Sequence, residues 1–389
     1  MSITTLEPNL AAALAADVYE TLKMPAGAAF TPKTPVLKSA FDFSGHGGTI
    51  HGRSGGLLFR RDSGFAVVGR GKAGRGFNYE GQVAIAFRGT QTSFDWLSNS
   101  NTRTVTVENQ TQAHKGFYDI FNSMRPALEQ QLNPLLRGSS RAIVHCSGHS
   151  LGAALAQLAA LWIKKFYGNR VVLYTFGSPR VGLKNFAIQA PGSIDASYRC
   201  IHGDDPVPLA PVWPYYHAPY NGQVVRLTSD TGIRISSHAM REANHCYQNS
   251  ARGEWANLIG AERLPKQVYL KYGEQHKVTF SEYWKNQIED ALTTILRKSG
   301  VASAAILGVQ NLGGGVHTFY DNLAMELEKS AKVFPNDEHV KGLLAHMLVF
   351  AGRGAHVVIK LTARFIRWVF EQVLAVLSRA VRYAVSGLS

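Results

Sequence analysis

Apolar residues along this chain follow two rhythms. Between Gln82 and Ser229 they gather in compact runs of five to seven residues, at 83–87, 142–147, 171–176, 197–202 and 223–229. Several runs are near-continuous rather than alternating, the pattern of strands buried on both faces. Between them, residues 117–136, 151–166 and, more weakly, 183–189 repeat at helical spacing. Strand and helix in alternation predict an α/β fold, a doubly wound and mostly parallel sheet with helices on both faces. The first 25 residues or so predict an amphipathic helix. The glycine-rich stretch 44–82 predicts loops with short strands, such as 64–68.

Beyond about Leu264 the strand rhythm stops. Residues 281–298, 321–332, 339–350 and 357–385 read as helices, which divides the chain into an α/β domain (1–264, including the N-terminal helix) and an α-helical C-terminal domain (265–389). In the last helix Lys360, Arg364, Arg367, Glu371, Ser378 and Arg382 fall on one narrow stripe, and apolar residues cover the rest. Three arrangements suit that pattern: packing on the chain's own α/β domain, a docking surface for a partner, or an interfacial membrane helix. It contains no uncharged stretch long enough to span a bilayer.

Composition narrows the class. Hydrophobic residues at 45% and charged residues at 17% supply a core and exclude a chain dominated by disorder. The 41 Lys and Arg against 27 Asp and Glu leave a net charge of +14, which attracts polyanionic surfaces. No block of basic residues interleaves with stacking aromatics, so an anionic lipid surface fits better than nucleic acid. The three cysteines, Cys146, Cys200 and Cys246, form neither a zinc spacing nor a disulfide framework, in keeping with folding in a reducing cytoplasm. The N-terminus lacks the basic start and clean apolar core of a signal peptide, so export, if it occurs, is expected without a cleaved leader.

The sharpest chemical signal is Gly148-His149-Ser150-Leu151-Gly152, placed after an apolar run and before an alanine-rich helix. A serine on such a strand-to-helix turn is presented as a nucleophile, and the Leu151 N–H points from a helix N-terminus toward a developing oxyanion. The acid and then the base are expected further along the chain. The run 197–202 leads directly into Gly203-Asp204-Asp205-Pro206-Val207-Pro208, which supplies a carboxylate at a strand end. Two histidines follow the last strand, His238 and His245. A base placed directly after that strand, with a helix behind it, favours His238, while sequence leaves His245 open. His145, His202 and His217 read as structural.

The span from about Gln82 to Tyr247 resembles the fungal-lipase-like (class 3) lipase family, an α/β-hydrolase family. The resemblance rests on Ala86-Phe87-Arg88-Gly89-Thr90 with Asp95-Trp96, on His114-Lys115-Gly116-Phe117, on the elbow, and on Phe176-Gly177-Ser178-Pro179-Arg180-Val181-Gly182. It implies that Asp205 is the catalytic acid, Asp204 being a loop residue, and that the oxyanion hole is made by the N–H groups of Thr90 and Leu151. It also implies a lid in residues 91–113, where Phe94, Trp96 and Leu97 precede a polar stretch that suits a plain surface loop equally well. The implied activity is that of a serine lipase or phospholipase acting through an acyl-enzyme, with no metal or organic cofactor. The basic C-terminal helix tilts the substrate toward phospholipid and the partner toward a membrane surface. Bacterial members with no leader and an extra helical domain resemble antibacterial effectors, which have a cognate immunity protein. Two other functions compete: a soluble carboxylesterase, and a membrane- or protein-binding module whose hydrolase site is vestigial.

Overall fold

The computed structural model describes residues 3–45, 47–54, 61–74, 76–89, 104–138, 142–220, 222–261, 263–300, 318–333, 336–354, 358 and 361–387. The chain opens with helices α1 (Pro8–Asp17) and α2 (Pro35–Ala40). Strands β1 (Phe41–Asp42), β2 (Ile50–Ser54) and β3 (Arg61–Gly71) follow, then a small hairpin of β4 (Ala73–Gly74) and β5 (Phe77–Asn78). Strand β6 (Val83–Phe87) and a second hairpin, β7 (Thr104–Thr106) with β8 (Gln112–His114), lead into helix α3 (Lys115–Leu136). The remaining elements of the α/β part are β9 (Ile143–His149), α4 (Leu151–Tyr167), β10 (Arg170–Phe176), α5 (Lys184–Gly192), β11 (Ala196–His202), β12 (Gln223–Thr228), the short helices α6 (Tyr247–Ser250) and α7 (Trp255–Leu258), and β13 (Ile259–Ala261).

Nine of these strands form one sheet, ordered β1-β3-β6-β9-β10-β11-β12-β13 with β2 paired to β3. The centre, β6 to β12, is parallel, and the antiparallel pairs stand at its two ends. Alternate residues of the central strands face opposite layers. Ile85, Phe87, Val144, Cys146, Val171 and Leu173 pack under α3 and α4, whereas Ala84, Ala86, Ile143, Val172, Tyr174 and Phe176 pack under α1 and Tyr247. Both faces are apolar because both are covered, which is why the strands read as unbroken runs.

Two N-terminal expectations need correction. The first helix is shorter than predicted and is buried on every side from Leu10 to Asp17, not amphipathic. Its alanines let it lie close against the sheet, and a 3₁₀ turn, Val18–Lys23, ends it. The glycine-rich zone contains an 11-residue strand, β3, where loops with short strands were expected. Gly64 stands there because an added Cβ would lie 2.3 Å from the Thr21 carbonyl oxygen. The glycine marks close packing rather than a turn.

Helices α8 (Glu282–Lys298), α9 (Phe319–Ala331), α10 (Asn336–Phe350) and α11 (Ala363–Ser386) bury a separate apolar cluster that also takes in Leu209, Trp213 and Tyr215 of the α/β part. The apolar face of α11 is buried within the chain, through Ile366, Val369, Phe370, Val373, Leu374 and Leu377. Its last turns continue into the core of the α/β part, where Val381, Ala384 and Val385 share a cluster with Leu151 and Val207. Packing on its own protein is therefore the arrangement of this helix. Of the basic stripe, Arg364 and Arg382 are exposed, Arg367 is paired with Asp321 and Glu371, and Lys360 lies outside the described residues. Among the described residues no helix is long and apolar enough to cross a membrane.

Candidate active site

The elbow forms where β9 ends and α4 begins. Ser150 holds φ 58° and ψ −130° there, a conformation that a non-glycine residue adopts only when its surroundings impose it. Its N–H donates to the Phe176 carbonyl at 3.0 Å. The two flanking glycines are dictated by space. A Cβ on Gly148 would stand 2.2 Å from the Gly152 carbonyl oxygen, and one on Gly152 would stand 2.0 Å from that of Phe87.

Three further segments converge on this serine. Asp205 follows the end of β11, and its Oδ1 accepts the Val207 N–H at 2.8 Å. His238 closes the 3₁₀ turn Ile235–His238 beyond β12. Its Nδ1 lies 2.8 Å from Asp205 Oδ2, and its Nε2 lies 2.8 Å from Ser150 Oγ. A carboxylate can only accept, so Nδ1 carries the proton and Nε2 is left to accept from the serine hydroxyl. Tyr247 also donates to Asp205 Oδ2, at 2.7 Å. Ser150, His238 and Asp205 are all buried, at most 2% exposed. Hydrogen bonds and charge in such a setting act with little screening.

The two candidate bases thus separate cleanly. His238 reaches the serine, whereas His245 is exposed in a turn outside the site. Asp204 points away and pairs with Arg234 at 3.3 Å. His202 donates from Nδ1 to the Ser237 carbonyl at 2.7 Å and stacks on Tyr247 with ring centroids 4.0 Å apart. His145 lies in the sheet against Gln82, and burial pushes its imidazole down to about 3. Burial likewise holds His217 well below the ordinary histidine range.

For the oxyanion, Leu151 is the first residue of α4, so its N–H has no acceptor within the helix. Thr90, and the lid stretch up to residue 103, lie outside the described residues. The turn that leads to Thr90 is described. A Cβ on Gly89 would lie 2.9 Å from Ser150 Cβ, so glycine is what allows this turn to meet the nucleophile. Arg88 fixes it from behind. Its guanidinium donates to the carbonyls of Gly64 and Gly89 and to Ser63 Oγ, and packs 4.2 Å from the centroid of the Phe65 ring. Burial lowers it to about 10, which leaves it charged at neutral pH.

Sequence reasoning missed Tyr247 and Tyr19. The Tyr19 hydroxyl lies 2.7 Å from His149 Nδ1, a contact across 130 positions for which no local pattern gives a sign. No group of three or more His, Cys, Asp or Glu among the described residues is placed to hold a metal ion. The arrangement has what acyl transfer needs: an oriented nucleophile, a base of fixed tautomer and a buried acid.

Residues 84–215 match the family model for lipase (class 3). Over 144 residues the chain is 32% identical to secreted mono- and diacylglycerol lipase 1 of Fusarium solani, a match covering 36% of this chain and 43% of that protein. Over 105 residues it is 36% identical to Toxin TseL of Vibrio cholerae, covering 26% of this chain and 15% of that one. The lipase of Rhizomucor miehei, solved as a propeptide complex, aligns with a TM-score of 0.42 and 24% identity over 56% of this chain and 67% of its own. The chain spans under half the length of either curated relative. The family match encloses Ser150 and Asp205 and stops short of His238. The segment that carries Ser150, Asp205 and the parallel strands between them is the one the match spans, so residues 84–215 are similar to class 3 lipase within a mostly parallel α/β-hydrolase-like sheet.

Proposed function

We propose that this protein is a carboxylic ester hydrolase that cleaves acyl esters of glycerolipids through an acyl-enzyme on Ser150. The observation that carries this reading is the line Ser150 Oγ–His238 Nε2 and His238 Nδ1–Asp205 Oδ2, 2.8 Å at each contact. His238 takes the serine proton as Oγ attacks the ester carbonyl, and Asp205 stabilises the imidazolium that results. The Leu151 N–H receives the oxyanion, a contact of a kind that contributes about 3 kcal/mol per donor. His238 returns its proton to the departing alcohol. Water, activated by the same histidine, then releases the fatty acid.

The net charge of +14 and the exposed arginines of α11, Arg364 and Arg379 among them, support phospholipid in an anionic surface as the substrate. The test is mass spectrometry of phospholipid vesicles incubated with the wild type, Ser150→Ala, His238→Ala and His245→Ala. Wild type and His245→Ala are expected to release fatty acid, and Ser150→Ala none. His238→Ala is expected to lose roughly a thousandfold or more. Turnover of short soluble esters with vesicles left intact would turn the reading into a soluble carboxylesterase. Equal function of Ser150→Ala and wild type would make it a binding module.

A second reading, as a toxin against other bacteria with an immunity protein as its partner, draws on the 36% identity with Toxin TseL. Directing the chain to a bacterial periplasm tests it. Growth arrest that depends on Ser150 supports the toxin, and harmless expression of an enzyme active on vesicles removes it.

A further inference from the structure

Two buried or half-buried residues outside the hydrolytic scheme lie against its working parts. Tyr19 stands in the turn Val18–Lys23, and His149 is the last residue of β9, next to the nucleophile. Tyr19 Oη accepts the Gly89 N–H at 3.2 Å and lies 2.7 Å from His149 Nδ1. On its other side, His149 Nε2 lies 2.9 Å from the carbonyl oxygen of His238. A carbonyl only accepts, so His149 carries its proton on Nε2 and leaves Nδ1 to accept from the tyrosine. Donors and acceptors then match along the whole line: Gly89 N–H to Tyr19, Tyr19 O–H to His149, His149 N–H to His238 O. The His149 ring also lies on that of His238, with centroids 4.6 Å apart and planes inclined at 31°. Burial and the neighbouring His238 hold the His149 imidazole well below the ordinary range, which keeps Nδ1 free to accept.

Both ends of this line fall on backbone that the reaction depends on. One is the carbonyl of the base itself. The other is the amide of Gly89, one residue before Thr90 and in contact with Ser150. A tyrosine and a histidine that merely satisfied each other in a core would have no reason to end on those two groups. Resting on the hydrolase reading above, we propose that Tyr19 and His149 are positioning residues, a hydrogen-bonded brace that holds the base-bearing turn and the oxyanion turn in register around the nucleophile. Neither touches the substrate. Their contribution is to geometry, where a misplacement of about 1 Å costs on the order of a hundredfold in rate.

The experiment is steady-state hydrolysis of a soluble p-nitrophenyl ester, with fluorophosphonate labelling of Ser150 and a thermal melt, for wild type, Ser150→Ala, Tyr19→Phe, His149→Leu and His149→Gln. Tyr19→Phe keeps the ring and removes both hydrogen bonds. It is expected to lower kcat about tenfold with KM within about twofold and the melting temperature nearly unchanged. His149→Leu is expected to lose about a hundredfold. His149→Gln places an amide nitrogen near the position of Nε2, keeps the donation to His238 O, and is expected to recover at least to the level of Tyr19→Phe. Should the His149 variants not fold, Tyr19→Phe decides alone. The brace is refuted by a Tyr19→Phe enzyme with wild-type kcat, or by a loss that appears only in KM or only in the melting temperature. A wild type that neither turns over nor labels refutes the hydrolase reading and the brace with it, whereas an active wild type matched by Tyr19→Phe refutes the brace alone.

Discussion

Tyr247 donates its hydroxyl to Asp205 at 2.7 Å, on the same carboxylate oxygen that faces His238 Nδ1. Asp205 therefore holds the base with an oxygen that is itself held. Hydrogen bonds to a buried charge are worth about 1.5–3 kcal/mol. Tyr247→Phe removes this one and also leaves the His202 N–H without the Tyr247 oxygen, 3.1 Å away. We expect kcat/KM to fall about 10–100-fold, mostly in kcat, with a melting temperature a few degrees lower. Steady-state kinetics and a thermal melt check it, and unchanged kcat would mean that Val207 alone orients the acid.

Buried neutral histidines set the acid limit of stability. His145 is pushed down to about 3, and burial also lowers His149 and His202. In the unfolded chain each titrates near 6.5. Below that value the unfolded state binds protons that the folded state refuses, so stability is complete above about pH 7 and falls as pH drops. Each such group contributes a slope of about 1.4 kcal/mol per pH unit. We expect urea-unfolding free energies to decline by several kcal/mol between pH 7 and 5, where carboxylates contribute little, and His145→Asn to lessen the slope by about one proton. A flat profile over that range would contradict the burial argument.

The close approach of Gly152 to β6 makes a third test. An alanine there needs its Cβ 2.0 Å from the Phe87 carbonyl oxygen, so the start of α4 must shift, and the Leu151 N–H shifts with it. Overpacking of this kind costs about 1–3 kcal/mol, and displacement of an oxyanion donor costs about a hundredfold in kcat or more. Gly168→Ala is the control. Gly168 ends the same helix in the left-handed region with open space around it, so the change costs about 1 kcal/mol and spares activity. Denaturant melts and initial rates on the pair separate backbone strain from damage to the site.

The same physics explains what could be read from the chain and what could not. The central strands were legible because apolar layers on both faces leave continuous runs, and Ser150 and Asp205 were legible because each follows such a strand. The base was not. Choosing between His238 and His245 depends on which of two turns folds back over the C-terminal ends of the strands, and both histidines follow β12 with an apolar residue behind them. β3 was hidden because Gly64, placed for contact with the Thr21 carbonyl, looks like a loop glycine. Tyr19 was hidden by distance along the chain. In α11 the apolar face suited protein or membrane equally, and only the partners present on α9, α10 and the hydrolase core settle which it meets.

Arg180, in the motif after β10, reaches across to the helical region and provides the fourth test. Its guanidinium grips Glu289 with two hydrogen bonds, at 2.8 and 3.1 Å, while Lys285 meets the same carboxylate at 2.7 Å. All three side chains are at most 20% exposed, so one carboxylate serves two largely desolvated cations. Removing the shared partner is then worse than removing either cation. Glu289→Leu leaves Arg180 and Lys285 facing each other and is expected to cost about 3–5 kcal/mol. Arg180→Met leaves Glu289 paired with Lys285 and should cost less. Replacing the whole group, Arg180→Met with Lys285→Met and Glu289→Leu, removes all three of its charges and should recover most of the loss, as apolar replacements of buried ion networks commonly do. Unfolding free energies in urea give the order directly. If Arg180→Met were the more damaging change, the guanidinium would be acting mainly through its other bond, to the Tyr215 carbonyl at 3.2 Å, and the link between hydrolase and helices would be a matter of loop geometry rather than charge.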